Sequence, residues 1–172
     1  MFWKWGQGEG TTYEVIFKKL REKNIQYMII GGVAVNLYGV PRATGDIDLM
    51  LAMDKDNLLK FIEVARDVRL APKAPVRPEE LADPIKVKEW RDNKNMKVFS
   101  FIHPDNPYIT VDIMTENYLP FAETYARKKL LKAWGTEVSV IGFEDLIKLK
   151  QISGRDQDLS DIEALKKYGG IK

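Results

Sequence analysis

The segment RATGDIDLML, residues 42–51, decides the fold because it places two carboxylates at the start of an apolar run. Asp46 and Asp48 alternate with Ile47 and Leu49, which is the period-two pattern of a β-strand. On a strand, both carboxylates point to one side while Ile47 and Leu49 point into the core. Two like charges on one face are destabilising unless a cation neutralises them, and hard divalent cations are the usual partners. By itself the pair is equally typical of two solvent-facing acids on an edge strand.

A glycine pair lies upstream, where the apolar run 25–30 meets a short helical pattern at 33–38. The backbone N–H groups of Gly31 and Gly32 carry no side chain over them, so they can approach a phosphate closely. The alternative is that the glycines only permit a tight turn from strand to helix. Neither the G-x-G-x-x-G dinucleotide fingerprint nor the G-x-x-x-x-G-K-[ST] phosphate loop is present.

A third carboxylate and two phosphate-binding candidates complete the group. Asp112 stands between Val111 and Ile113 in an apolar strand pattern, so it is either a third member of the Asp46 and Asp48 site or a partly exposed strand residue. Arg42 and Thr44 lead directly into the carboxylate pair and offer donors for a phosphate or a carboxylate.

Helical and strand patterns are interleaved along the chain. The pair of strand patterns around Gly135-Thr136 predicts a hairpin, which favours a mixed α+β sheet over a doubly wound parallel one. Residues 71–84 contain four prolines among charged residues and are predicted to form a loop with room for a short helix. The predicted strands are 25–30, 47–53, 96–102, 108–114, 130–134 and 137–141. Two predicted helices are defined by their starts, at a capping box over 11–14 and after Asp54. The others are 33–38, 118–127, 144–153 and 159–168.

The composition bounds the class of protein. With 172 residues, 45% of them hydrophobic and 30% charged, the chain can form one globular domain without disulfides or a structural metal. The absence of cysteine excludes thiolate metal sites and cysteine nucleophiles, and one histidine gives little support to a zinc site. Any metal would therefore be held by oxygen, which favours Mg²⁺, Mn²⁺ or Ca²⁺. The net charge of +2 does not indicate a dedicated nucleic-acid binder.

No segment reaches the ~18 continuous apolar residues of a membrane span. The opening residues also lack the apolar region of a signal peptide. A cytoplasmic location without a membrane partner is therefore expected.

The glycine pair, the R-x-T-x-D-x-D pattern of residues 42–48 and the later Asp112 together resemble the nucleotidyltransferase superfamily, in particular its minimal, AbiEii-toxin-like bacterial branch. The tail is similar as well: FEDLIKLK at 143–150 and GRDQDLSD at 154–161 follow the ending of that group, although Gln157 stands where related tails often carry lysine. The resemblance implies a single nucleotidyltransferase-like domain over residues 1–172. Its mixed β-sheet would have flanking helices and a short C-terminal helical pair at about 143–172.

The resemblance also implies roles for individual residues. Asp46, Asp48 and Asp112 would be catalytic and would hold Mg²⁺ or Mn²⁺. The nucleoside triphosphate would be bound by Gly31, Gly32, Arg42, Thr44, Lys150 and Arg155, with Asp158 as a further candidate. For Lys150 and Arg155, ion pairs that tie the last helices to the sheet are an equal alternative.

The predicted function is a metal-dependent transfer of a nucleoside monophosphate from an NTP to a hydroxyl of an acceptor, which could be a protein, a tRNA or a small molecule. A toxin-like biological role would add an antitoxin-like protein as a partner. The alternative is a non-catalytic nucleotide- and metal-binding module that acts through a protein partner. Trp90 and Trp134 are compatible either with lining an acceptor cleft or with ordinary burial.

Overall fold

A computed structural model describes residues 12–170; the capping residue Thr11 and the opening segment lie outside that range. The described chain forms seven helices and seven strands. The helices are α1 Thr12–Glu22, α2 Gly31–Leu37, α3 Lys55–Asp67, α4 Pro84–Lys94, α5 Phe121–Ala126, α6 Phe143–Ser153 and α7 Asp156–Tyr168. The strands are β1 Tyr27–Ile30, β2 Ile47–Leu51, β3 Ala71–Pro72, β4 Val98–His103, β5 Asn106–Met114, β6 Lys129–Ala133 and β7 Thr136–Val140.

The strands form one mixed sheet in the order β3-β4-β5-β2-β1-β7-β6. The β2–β5 and β1–β7 pairs are parallel, whereas β1–β2, β3–β4, β4–β5 and β6–β7 are antiparallel. The predicted α+β class and the hairpin between β6 and β7 are therefore confirmed. The turn of that hairpin is Trp134-Gly135, where both residues have positive φ, one position before the predicted turn.

One face of the sheet is the apolar core. Ile47 and Leu49 of β2 are paired with Val111 and Ile113 of β5, and all four side chains are almost completely buried. Helices α3 and α4 cover the neighbouring strand β4 through aromatic contacts: Phe61 packs edge-on against Phe101, and Trp90 stacks on Phe99. The period-two alternation predicted for residues 46–49 thus places the apolar residues on the core face.

The opposite face carries the polar residues of the same strands. Ser100, Asp112, Asp48 and Ile30 form one row across β4, β5, β2 and β1. Helices α2 and α6 pack together beside this row, where the Tyr38 ring meets the Phe143 ring edge-on and the Tyr38 hydroxyl donates to the Ile141 carbonyl. The helical pair at the C-terminus is therefore anchored to the half of the sheet that holds the carboxylates.

The proline-rich stretch is more ordered than predicted. Residues 71–84 contain β3 and a 3₁₀ turn at Pro78–Ala82, and the 11-residue helix α4 follows directly. Pro84 occupies the first turn of α4, where no backbone N–H is required, and the Asp83 side chain caps it. The sequence pattern does not predict this helix because few of its residues are apolar. Val87 and Trp90 supply its buried contacts, and Ile85 is exposed.

The remaining differences from the predicted elements are shifts of a few residues at their ends. No helix in residues 12–170 has the length and apolar character needed to cross a membrane.

Candidate active site

Asp48 and Asp112 lie opposite each other on neighbouring parallel strands and point to the same face of the sheet. Burial raises the pKa of Asp48 to about 7, and the charges of Asp112 and Asp46 add to this effect against the opposing charges of Arg155 and Lys150. Burial likewise raises the pKa of Asp112. The protein therefore holds two carboxyl groups in a position where both cannot ionise without a compensating positive charge.

One carboxylate of the Asp48–Asp112 pair has an oxygen atom available to a ligand. Within the part of the chain that the structure describes, Asp112 Oδ1 is buried and has no hydrogen-bond partner. Ser100 is paired with Asp112 across β4 and β5, and its side chain lowers the pKa of the Asp112 carboxyl group against the effect of burial. Carboxylate oxygens are the ligands that Mg²⁺ and Mn²⁺ prefer, so this donor set suits a hard divalent cation.

Asp46 stands apart from the other two carboxylates. It lies one residue before β2 and is exposed, yet it is near enough for its charge to raise the pKa of both Asp48 and Asp112. Among residues 12–170, no three acidic or histidine side chains are grouped tightly enough to hold a metal ion as they stand. The structure thus brings Asp48 and Asp112 together and leaves Asp46 at the edge of the site.

The two glycines have different surroundings. Gly31 has a φ of +67°, which favours glycine, and a Cβ at this position would lie 2.1 Å from Asp48 Oδ2. Gly32 is buried in the first turn of α2, and a Cβ there would lie 1.8 Å from Arg42 Nη1 and 2.8 Å from Thr44 Oγ1. The left-handed turn therefore belongs to Gly31, whereas Gly32 lets other groups approach the backbone.

Both the backbone and the side chain of Arg42 have a partner. Its backbone N–H donates to the Asn36 side chain at 2.8 Å, and its Nε lies 3.2 Å from Asp161 Oδ1. The second contact is close enough for an ion pair. Its N–H is poorly aligned, however, so Nε has no hydrogen-bond partner within the described range. Because a hydrogen bond weakens steeply when it is bent, the two groups form an ion pair without a good hydrogen bond.

Lys150 is the centre of a buried ion-pair network between α6 and α7. Its ammonium group donates to Asp161 Oδ2 at 2.7 Å and to Asp158 Oδ1 at 3.5 Å. Arg155 Nε donates to the other oxygen of Asp158 at 2.8 Å. Burial opposes the ionisation of Asp158, but the hydrogen bonds from Arg155 and Ser153 and the charges of Arg155 and Lys150 lower its pKa to about 2. Lys150 and Arg155 therefore form the ion pairs that were the alternative to phosphate binding. The Arg155 side chain is nevertheless 76% exposed.

A cavity of about 790 Å³ joins these groups. Every predicted site residue lines it: Gly31, Gly32, Arg42, Thr44, Asp46, Asp48, Asp112, Lys150 and Arg155. Away from the glycines, the wall includes Met114, Tyr118 and Ile152. Trp90 and Trp134 do not line it, because they stack on Phe99 and Phe17. Both tryptophans have a packing role rather than a role in an acceptor cleft.

The sequence patterns indicated no role for Asp161, nor did they indicate Asn36, Ser100 or Tyr118. The spacing of Asp158 and Asp161, three residues apart, is the signal for a shared helix face opposite Lys150. No comparable signal exists for Ser100, because its place beside Asp112 depends on the register of β4 and β5.

Residues 13–171 match a family described as nucleotidyltransferases of unknown function (DUF6036). The chain belongs to this family. Because the match extends over nearly the whole sequence, it includes the carboxylates, the glycine pair and the C-terminal network. No curated protein matches the chain.

Solved structures show the same fold for this nucleotidyltransferase. The candidate nucleotidyltransferase TM1012 from Thermotoga maritima superposes with a TM-score of 0.57 at 16% identity, over 91% of this chain and 89% of that one. The lincosamide antibiotic adenylyltransferase LnuA, in its lincomycin-bound form, gives 0.57 at 17% identity, over 92% and 98%. ANT(2″)-Ia, in complex with adenylyl-2″-tobramycin, gives 0.58 at 14% identity, over 91% and 87%. At such identities the likeness concerns the fold alone.

Proposed function

We propose that this nucleotidyltransferase moves a nucleoside monophosphate from an NTP to a hydroxyl group of an acceptor, in a reaction that depends on Mg²⁺ or Mn²⁺. The observation that carries the proposal is the half-buried, in-register pair of Asp48 and Asp112 on the wall of the cavity that Gly31 and Gly32 also line. Carboxylates that need a cation thus share one cavity with a glycine pair and with basic side chains suited to phosphates, a combination that phosphoryl transfer requires.

The carboxylates are the proposed metal ligands. Asp48 and Asp112 would hold the cation, and Asp46 would join them from the edge of the cavity. The cation, when bound, supplies positive charge that offsets the triphosphate and favours ionisation of the attacking hydroxyl. Its binding would also lower the pKa of Asp48 from about 7, since the cation favours the ionised carboxylate.

The remaining residues bind the substrates and move a proton. Gly32 N–H, the Thr44 hydroxyl and the exposed guanidinium of Arg155, which all line the cavity, would bind the phosphates. The acceptor oxygen forms a bond to the α-phosphorus, the bond from that phosphorus to the bridging oxygen breaks, and pyrophosphate leaves. Asp112 takes the proton of the acceptor hydroxyl, a role that suits a carboxylate with a buried oxygen free of other partners.

The acceptor proposed first is a small hydroxylated molecule. LnuA is a lincosamide antibiotic adenylyltransferase and ANT(2″)-Ia was solved with adenylyl-2″-tobramycin, which makes ATP and a small hydroxylated molecule the first pair to test. A tRNA or a protein acceptor belongs to the same proposal, as do a toxin-like role with an antitoxin-like partner and a cytoplasmic location.

The test begins with binding. ATP affinity is measured by calorimetry with and without Mg²⁺ for the wild type, Asp48→Asn and Asp112→Asn, with the exposed Asp67→Asn as the control. We expect Mg²⁺-dependent binding in the wild type and the control, and its loss in Asp48→Asn. Binding that is equal in all four proteins would contradict the proposed site.

Turnover is tested by incubating labelled NTPs and Mg²⁺ with hydroxylated small molecules, tRNA and a protein extract. Asp112→Asn should reduce label transfer by roughly 10²–10⁴-fold, the usual contribution of a general base. Nucleotide binding without transfer to any of these acceptors would favour a non-catalytic module that acts through a protein partner.

A further inference from the structure

The guanidinium group of Arg42 lies directly over the backbone of Gly32. Its Nη1 is 1.8 Å from the position that a Cβ of Gly32 would take, so the cation fills the space that the absent side chain leaves. A phosphate oxygen that approached the Gly32 backbone would need part of the same space. The present position of Arg42 and a phosphate against Gly32 therefore exclude each other.

Asp161 is the residue that holds Arg42 in this position, and the two partners depend on each other unequally. Asp161 is buried and has two further hydrogen bonds, from Lys150 to one oxygen and from Gln157 at 3.0 Å to the other. Among residues 12–170, Arg42 Nε has only the misaligned contact with Asp161. If Arg42 left, Asp161 would stay satisfied, whereas Arg42 would gain a better acceptor from a phosphate.

We propose that Asp161 is a positioning residue that keeps Arg42 over Gly32 while the site holds no nucleotide, and that the triphosphate replaces Asp161 as the partner of Arg42. This inference rests on the proposed function, because it takes the Gly32 end of the cavity as the phosphate site. The exchange lets the phosphate reach the backbone and gives the released guanidinium an anionic partner. Nucleotide binding then costs the protein one buried ion pair.

Asp161→Asn tests the exchange, because it removes the competing charge with little change in volume. Inorganic tripolyphosphate without a divalent cation is the probe, since it reports on the phosphate end and not on the metal ligands. We expect the Kd for tripolyphosphate to fall by roughly tenfold, as expected when a binding-competent state rises from about a tenth of the molecules to nearly all. The exposed Glu163→Gln on the same helix, α7, is the matched control and should leave Kd unchanged.

A double-mutant cycle separates Arg42 from Lys150, which also contacts Asp161. If Asp161 acts through Arg42, Asp161→Asn should have no effect on Kd in an Arg42→Gln background. An effect of equal size in both backgrounds would overturn the inference and assign the change to Lys150.

The wild-type structure with a non-hydrolysable ATP analogue decides the matter even if Asp161→Asn fails to fold. We expect Arg42 Nε to move beyond 4 Å from Asp161 Oδ1 and to contact a phosphate, while Arg127 Nε stays 2.8 Å from the buried carboxylate of Asp145. A retained 3.2 Å contact, or a Kd that rises or stays equal in a folded Asp161→Asn protein, would overturn the inference alone. A wild type that binds neither tripolyphosphate nor ATP would overturn the proposed function as well.

Discussion

Asp48 links the ionisation of the site to the stability of the chain. Its pKa of about 7 in the folded protein exceeds the 3.8 of an unperturbed aspartate, so between these values the folded state binds a proton that the unfolded state has lost. Stability therefore decreases as pH rises through this window, by up to about 1.4 kcal/mol per pH unit.

Asp48→Asn should remove this dependence on pH. The variant should gain stability relative to the wild type as pH rises from 5 to 8, because an amide in this position has no charge to desolvate. Urea unfolding at both pH values measures the difference, with Asp67→Asn as the surface control. A difference between variant and wild type that stays constant with pH would show that Asp48 ionises normally.

The glycine pair yields a second prediction for single residues. Gly31→Ala should lower the free energy of unfolding by roughly 1–3 kcal/mol, because alanine resists the left-handed conformation and its Cβ would meet Asp48. Gly32→Ala should cost much less, since the nearest atoms to its Cβ belong to the flexible end of Arg42 and to the Thr44 hydroxyl. Thermal melts of both variants check the order, and equal losses would contradict the distinction drawn between the two positions.

For the secondary-structure elements, the ion-pair network around Lys150 joins α6 to α7 and to the segment before β2. Replacing one member of a buried network leaves the other charges without compensation, so Lys150→Met should cost about 3–5 kcal/mol of stability. The exposed Lys166→Met on α7 is the control and should cost little. A Lys150→Met protein of normal stability that had lost its affinity for ATP would instead place the Lys150 amine on the phosphates.

For the whole molecule, α6 and α7 are part of the core rather than an independent appendage. Leu146 and Leu165 are completely buried, the Phe143 ring packs on Tyr38, and the Gly170 N–H donates to the Tyr38 carbonyl. We therefore expect a single cooperative transition in calorimetry, with equal van't Hoff and calorimetric enthalpies. A chain that ends at Gly142 should lose cooperative unfolding, and cooperative melting of that fragment would show that the helical pair is a separate unit.

The sequence by itself determined the elements whose side chains alternate or repeat with a clear period. Residues 46–49 predicted a strand with its carboxylates on one side, and the structure places Asp48 on the polar face with Ile47 and Leu49 in the core. The two-residue spacing, the glycine pair and Asp112 pointed to one site from residue type and local period, and the resemblance to nucleotidyltransferases added Lys150 and Arg155.

Only the tertiary structure decided which of these residues meet. The parallel register of β2 and β5 sets Asp48 opposite Asp112, and the packing of α7 brings Asp161 to Arg42 across more than a hundred residues of sequence. Helix α4 shows the same limit, since its stability comes from the stacking of Trp90 on Phe99 and not from an apolar period of its own. Long-range pairing depends on free energies summed over the whole core, whereas a local pattern reports only on its own segment.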